Sequence, residues 1–358
     1  MLAKKLQEAN IDILHDEGRN GKERPWSKYK MCNELLALAY DSIDTHKAER
    51  LRGCATWLGF GSAEDGRRKL VQANFCRVRL CPMCQWRRAL LNYKYTMRIV
   101  SAMLQEARAE GRQLRWMMVT LTIRSCTGDE LIPTLDQMQV AWDRLTRYGA
   151  VMAHVQGWYR GLEITHDCNQ LITEEMYKAR NAYYDERHLK AGDINPNYDT
   201  YHPHYHLLIA VSDKYTRISY ERHRQNWALA WAAAAKLDYW PQVDVQRCRG
   251  RHGEDTSPEA VSKMVAEAAK YTAKPKDYIL PDDWDLTVDT VRLLDKALHN
   301  RRLVAYGKAC KEWHKRLHLG DVESAEADLI GLDEGGGKVA PDVIYSWSTG
   351  YKQYIADR

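Results

Sequence analysis

Apolar and polar positions along this chain follow two rhythms, one of strands and one of helices. LRWMMVTLTIRS (114–125) and VQGWYRGLEITHD (155–167) are rich in β-branched and apolar residues and predict buried strands. HLLIAV (206–211) is apolar on both faces, as a central strand must be, and YWPQVDVQRCRGR (239–251) offers a fourth strand ending in alternating arginines. Helical spacing runs through LIPTLDQMQVAWDRLTRYG (131–149), SYERHRQNWALAWAAAAKL (219–237), SPEAVSKMVAEAAKYTAK (257–274) and RLLDKALHNRRLVAYGKACKEWHKRL (292–317). Gly149 is placed to stop the first of these and Gly307 to break the last. Residues 168–200, rich in Asn, Asp and Tyr, predict a long insertion, and GLDEGGGKVAPD (331–342) a linker. Strands interleaved with helices in this manner predict an α+β fold built around one antiparallel or mixed sheet.

Composition narrows the setting. The 358 residues suffice for two domains, or for one large domain with extensions. The formal net charge of +5 is mild and by itself a weak sign of a nucleic-acid partner. No stretch reaches the roughly 18 apolar residues of a membrane span. MLAKKLQEANID lacks the apolar centre of a signal peptide, so a cytoplasmic location without a membrane partner is expected. In that reducing setting the nine cysteines favour metal binding or free thiols over disulfides. With two Phe against 21 Tyr and 12 Trp, the aromatic content suits both base stacking and core filling.

The most informative stretch is DTYHPHYHLLIAV (199–211). Alternate residues of a strand share a face, so His204 and His206 project together and can share one metal ion. Pro203 donates no ladder hydrogen bond, which marks the strand entry there and leaves His202 outside. Two imidazoles hold a divalent ion weakly, and a carboxylate on a neighbouring strand would complete an open site. Glu163, within GLEIT, is the best placed, since a lone buried glutamate is costly unless paired or metal-bound; His166 and Asp167 stand as fallbacks.

In AEAAKYTAKPKDY, Glu267, Tyr271 and Lys274 fall at i, i+4 and i+7, one helical face. A phenol with a reference pKa of about 10 becomes a nucleophile at neutral pH with help from a metal or a base. Its attack on a phosphodiester would leave a phosphotyrosine and a free hydroxyl. Glu267 could then activate water to resolve that bond, while Lys274 held a phosphate. Elsewhere, FCRVRLCPMC places Cys76, Cys81 and Cys84, with Cys54 upstream, in the pattern of a four-thiolate structural zinc site. Arg77, Arg79, Arg87 and Arg88 around it, and Arg247, Arg249 and Arg251 after the fourth strand, are candidate DNA contacts.

Taken together, these motifs resemble a known family. HPHYHLL resembles the H-U-H motif of HUH endonucleases, and EAAKYTAK the E-x-x-x-Y-x-x-K helix of plasmid rolling-circle replication initiators. VTLTIRS resembles the strand motif that precedes them, and RPWSKYK, NFCRVRLCPMCQWRRA and RRLVAYGKACKEWHKRLHLGD resemble flanking segments in the same order. The resemblance implies a palm-like (RRM-like) central antiparallel sheet and nicking of one DNA strand at a plasmid double-strand origin. It implies Mn²⁺ or Mg²⁺ on His204, His206 and Glu163, with Tyr271 as nucleophile and Glu267 activating the water that ends replication. Hairpin or single-stranded DNA would be the substrate, with host helicase and DNA polymerase as partners. Five segments are expected on this reading: a helical extension at 1–50, a Cys/Arg-rich zinc module at 51–92, the HUH catalytic domain at 93–290, a helical region at 291–330, and a linker and tail at 331–358. A single-strand transposase or relaxase is the near alternative, and a zinc-containing DNA-binding regulator without nuclease activity is the alternative of another class. The oligomeric state is left open.

Overall fold

The strand-forming segments assemble into two antiparallel sheets flanked by helices, an α+β fold. The structure is a computed structural model that describes residues 11–18, 21–62, 68–248, 258–270, 272–332 and 340–357. In chain order the helices are α1 (Trp26–Tyr40), α2 (Thr45–Gly53), α3 (Pro82–Ala109), α4 (Gly128–Tyr148), α5 (Glu174–Ala179), α6 (Asn181–Asp185), α7 (Asp213–Thr216), α8 (Tyr220–Ala235), α9 (Pro258–Ala268), α10 (Trp284–Leu298) and α11 (Ala309–Arg316). The strands are β1 (Trp57–Ser62), β2 (Arg68–Ala73), β3 (Leu114–Thr122), β4 (Val155–Asp167), β5 (Thr200–Ser212), β6 (Val243–Arg247), β7 (Val304–Lys308), β8 (Val343–Ser348) and β9 (Gln353–Ala356). The chain divides into two compact units, one of Met1–Lys94, Pro281–Asp295 and Gly320–Arg358, the other of Tyr95–Leu280 and Lys296–Leu319.

The second unit holds a five-stranded sheet ordered β6-β3-β5-β4-β7. β5 is central, paired with β3 from Leu114↔Ser212 to Thr122↔His204 and with β4 from Val155↔Val211 to Asp167↔Thr200. Its run Leu207–Val211 is fully buried, which accounts for a strand apolar on both faces. On one face Trp142 of α4 and Trp231 of α8 pack edge-on against Tyr205. Ser219 caps α8 by accepting the Arg222 amide, and Lys236 in the left-handed region (φ 54°) ends it. α9 lies against β3 and β5 through the buried Val261 and Val265.

Three expectations need correction in this unit. β5 begins at Thr200, so Pro203 lies inside it and His202 belongs to the ladder. The register explains the tolerance. Pro203 pairs with Ile164, whose amide points away from β5 to the Thr272 carbonyl, so the proline nitrogen also points away from β4. On that side β3 has already ended at Thr122. The helix expected over 257–274 stops at Ala268, because Pro275 drives Lys274 into extended backbone (φ −83°, ψ 142°). The helical pattern of 292–317 conceals a strand: α10 ends at Leu298, β7 pairs with β4, and α11 follows. Gly307 is no helix break. It sits opposite Trp158, where a Cβ would come within 2.1 Å of the indole.

The first unit holds a four-stranded sheet ordered β2-β1-β8-β9. Its last two strands come from the segment expected to be linker and tail, with Leu58 of β1 opposite Tyr345 of β8. Trp26 stands edge-on to Trp86 at 4.6 Å and to Phe60 at 6.1 Å, and Phe60 meets Tyr345 at 6.0 Å. Arg87 is fully buried within this aromatic core, its guanidinium over Trp26 and Trp86 and its Nε donating to the Leu329 carbonyl at 2.8 Å. That placement overturns its expected role as a DNA contact. No helix among the described residues is long and apolar enough to cross a membrane.

Gly307→Ala is expected to cost about 1–3 kcal/mol, the range for overpacking a filled site, and to lower Tm by several degrees in thermal unfolding followed by circular dichroism. An unchanged Tm would mean that the Trp158 indole yields without strain.

Candidate active site

Strand register alone gathers the first three site residues. Glu163 of β4 lies opposite His204 of β5, and His206 lies between Gly161 of β4 and Thr120 of β3, so these side chains share one face of the sheet. Glu163 Oε2 is 2.9 Å from His206 Nε2 and 3.5 Å from His204 Nε2. All three residues are buried, and their ligand atoms lie within 4.8 Å of one another. Each imidazole is oriented from behind. His204 Nδ1 is 3.1 Å from the His202 carbonyl, which can only accept, so Nδ1 carries the proton. Nε2 then faces the carboxylate either with a second proton or across a cation. His206 Nδ1 meets Thr120 Oγ1 at 3.3 Å. Two imidazoles and one carboxylate fit a divalent ion that keeps exchangeable positions. His202 lies on the same face, its ring 5.5 Å from that of His204 and its Nδ1 3.3 Å from Ser125 Oγ; it stands outside the three-residue cluster. Burial, with His204 beside it, pulls the His202 pKa down to about 4.

Lys274 completes the constellation, its Nζ 2.5 Å from Glu163 Oε1. Burial pushes the Glu163 carboxyl up, but hydrogen bonds from His204, His206 and Lys274 outweigh it and hold the group well below the usual carboxylate range. The helical face expected to carry Glu267, Tyr271 and Lys274 together does not form, since Lys274 lies beyond the end of α9 and turns to Glu163. Glu267, half-exposed in the last turn of α9, pairs with Lys270 instead. Tyr271 lies outside the described residues. The chain on either side of it is tied to β4: Tyr159 donates its hydroxyl to the Ala268 carbonyl at 3.0 Å, and the Ile164 amide donates to the Thr272 carbonyl at 2.6 Å. Gly161 permits the approach, because a Cβ there would stand 2.8 Å from the Ala268 oxygen. His166, a fallback ligand, is engaged elsewhere, between the Asp277 carbonyl and Asp199 and stacked on Tyr201. Sequence reasoning missed Thr120 and Ser125; the alternating Thr120 and Thr122 of VTLTIRS was the available signal for one strand face.

In the first unit Cys54, Cys76, Cys81 and Cys84 form a second cluster, with sulfurs 3.6 Å (54–81), 3.7 Å (54–84) and 3.8 Å (76–84) apart. Zinc–sulfur bonds of about 2.3 Å give tetrahedral edges of about 3.8 Å, so the four positions fit such an ion. Backbone amides of Cys76, Arg77 and Cys84 point at the sulfurs. Lys30, buried, donates to the Arg52 and Cys54 carbonyls, and Asn33 accepts from Cys81. Arg77 donates to the Ala327 carbonyl, Arg79 pairs with Glu323, and Arg88 donates to the Arg77 carbonyl. Arg247, in β6, donates to the Ile218 carbonyl, while Arg249 and Arg251 lie outside the described residues.

The chain belongs to the replication protein family, whose model matches residues 67–355. That span includes Glu163, His204 and His206 and three of the four clustered cysteines, Cys54 lying before it. A Bacillus amyloliquefaciens relative named "Protein rep" is 36% identical over 374 aligned positions, covering 97% of this chain and 98% of the relative. Proteins of the same name from Lentilactobacillus hilgardii and Lactiplantibacillus plantarum are 32% and 30% identical, each across 96% of this chain. No solved structure matches the chain.

Because the Glu163 pKa is depressed, its contribution to stability is complete above the ordinary value of about 4.3 and is lost as pH falls towards the lower folded value. In chelator-treated protein, Glu163→Gln should therefore cost about 3 kcal/mol at neutral pH, with the gap from wild type constant above about pH 5 and narrowing steadily as pH falls below about 4. It should also weaken Mn²⁺ binding at least about tenfold in calorimetric titration. Parallel stability curves for the two proteins across that pH range would sink the assignment.

Proposed function

We propose that this replication protein initiates plasmid rolling-circle replication as an HUH-type enzyme that nicks and rejoins single-stranded origin DNA. The observation that carries this reading is the buried Glu163–His204–His206 cluster on adjacent strands, with Lys274 bound to it from the segment that contains Tyr271. On this reading the five-stranded sheet is the palm-like sheet of that superfamily. His204, His206 and Glu163 would hold Mn²⁺ or Mg²⁺, which supplies positive charge to a phosphate oxygen and orients the scissile bond.

The protein's own groups do the rest. The Tyr271 oxygen attacks the phosphorus as the bond to the 3′-oxygen breaks, giving a 5′-phosphotyrosine and a free 3′-hydroxyl that primes host polymerase. Phosphodiester energy is kept in the covalent bond, so strand transfer and rejoining stay open. Lys274 fixes one Glu163 oxygen and leaves the other facing the imidazoles. Glu267, half-exposed at the end of α9 and paired with Lys270, would deprotonate the water that releases the protein at termination. Origin hairpin DNA would present the unpaired strand, and host helicase would extend the opening.

Incubation with a labelled single-stranded origin oligonucleotide and Mn²⁺ should give an adduct that survives boiling in detergent. Tyr271→Phe should abolish it. Glu267→Ala should retain the adduct and slow its hydrolysis by about 10²-fold or more. An adduct that persists in the phenylalanine variant removes Tyr271 as nucleophile, and no adduct on any cognate origin favours a DNA-binding regulator.

We assign the four-cysteine cluster to a structural Zn²⁺, since four thiolates leave no open position. Elemental analysis of protein purified without added metal should find about one zinc per chain, and Cys81→Ser should lose it together with a clear drop in Tm. A metal-free wild type with an unchanged Tm in chelator would overturn this.

A further inference from the structure

Resting on that reading of the metal cluster, we propose that a rim beside it, formed by Arg124, Tyr239 and Trp240, stacks the unpaired bases that adjoin the scissile phosphate.

The rim is built directly onto the ladder. Thr122 ends β3 opposite His204. Its hydroxyl donates to the Gln242 carbonyl at 2.6 Å, and its own carbonyl accepts from Trp231 Nε1 at 2.7 Å. Two residues on, the Arg124 amide donates to the Tyr239 hydroxyl at 2.7 Å, and its guanidinium lies 4.1 Å over the Tyr239 ring. The next residue, Ser125, touches His202 at 3.3 Å. The loop that leaves α8 is thereby clamped to the strand end carrying the metal-binding face. Lys236 in the left-handed region starts that loop, and the buried Pro241 closes it.

At the crest of this clamped loop Trp240 is 59% exposed. Pro241 after it biases its backbone toward extended conformations. Arg124 is exposed and, among the described residues, carries no carboxylate partner. An exposed indole beside an arginine–tyrosine stack offers π faces and one positive charge. That chemistry suits unpaired bases with their phosphates, since every base has a π face and paired bases hide theirs.

The test uses the full-length protein in chelator, so binding is read apart from metal chemistry. Its probes are a fluorescein-labelled oligothymidylate of about 20 nucleotides and a duplex of equal length, followed by anisotropy. Trp240→Ala should weaken single-strand binding about 5- to 100-fold, with Tm and duplex binding unchanged, while Trp240→Phe should stay within a few-fold of wild type. Arg124→Ala should weaken binding and lower the salt slope by about one charge. Single-strand binding by Trp240→Ala equal to wild type overturns the rim and leaves the proposed nicking activity to its own adduct assay. Equal losses on duplex and single strand also overturn it, in favour of a general phosphate contact. If wild type binds no oligothymidylate, both this inference and the single-strand reading of the site fall.

Discussion

A buried carboxylate shared by two imidazoles and one ammonium is the interaction around which the five-stranded sheet is organised. Glu163 cannot be buried as a charge without partners, and His204, His206 and Lys274 supply them. Two of those partners come from register. The apolar run Leu207–Val211 is buried on both faces and fixes β5 between β3 and β4, which sets Glu163 opposite His204 and His206 beside Gly161. A slip of one residue would send the histidines to the face packed by Trp142 and Trp231. Site geometry is therefore inherited from the hydrophobic core.

The third partner comes from an exposed strand edge. Beyond β7, the outer edge of β4 would present unpaired amides, a liability that proteins cover. The chain after α9 covers it: the Ile164 N–H bonds the Thr272 carbonyl, and the His166 side chain, through Nδ1, meets the Asp277 carbonyl. Edge cover and function coincide here, because the same stretch delivers Lys274 to Glu163 and carries Tyr271 in sequence. Pro275 sets the extended backbone at Lys274 that this arrangement uses.

What could be read from the sequence follows from which features are local. VQGWYRGLEITHD coincides with β4 from Val155 to Asp167, since its boundaries are set by its own composition. The alternation of His204 and His206, the lone glutamate in an apolar run and the spacing of Cys76, Cys81 and Cys84 are local too, and each led to residues that the fold brings together. The misreadings share a different cause. Pro203 inside β5 depends on where β3 stops, a fact written at Thr122 rather than near the proline. β7 is five residues at a sheet edge, and its helical-looking spacing yields to pairing with β4 and to the Trp158 ring over Gly307. β8 and β9 are too short to signal themselves and exist through β1. Arg87 looks like any arginine of a basic run until Trp26 and the carbonyls of residues 329 and 330 enclose it.

That last correction bears on how such a protein grips DNA. In the four-cysteine unit, Arg77, Arg79 and Arg87 are spent on the segment around residues 323–330, so much of its charge holds its own chain in place. With a net charge of +5 over 358 residues, there is little surplus for a broad electrostatic footprint. The proposed nicking reaction nevertheless requires one strand to be held firmly enough to place a single phosphate. Affinity not supplied by charge has to come from contacts that paired DNA does not offer, which means base faces. On this view weak charge and exposed aromatic surface near the Glu163–His204–His206 cluster belong to the same solution: duplex would be released easily, and the unpaired strand retained beside the proposed site.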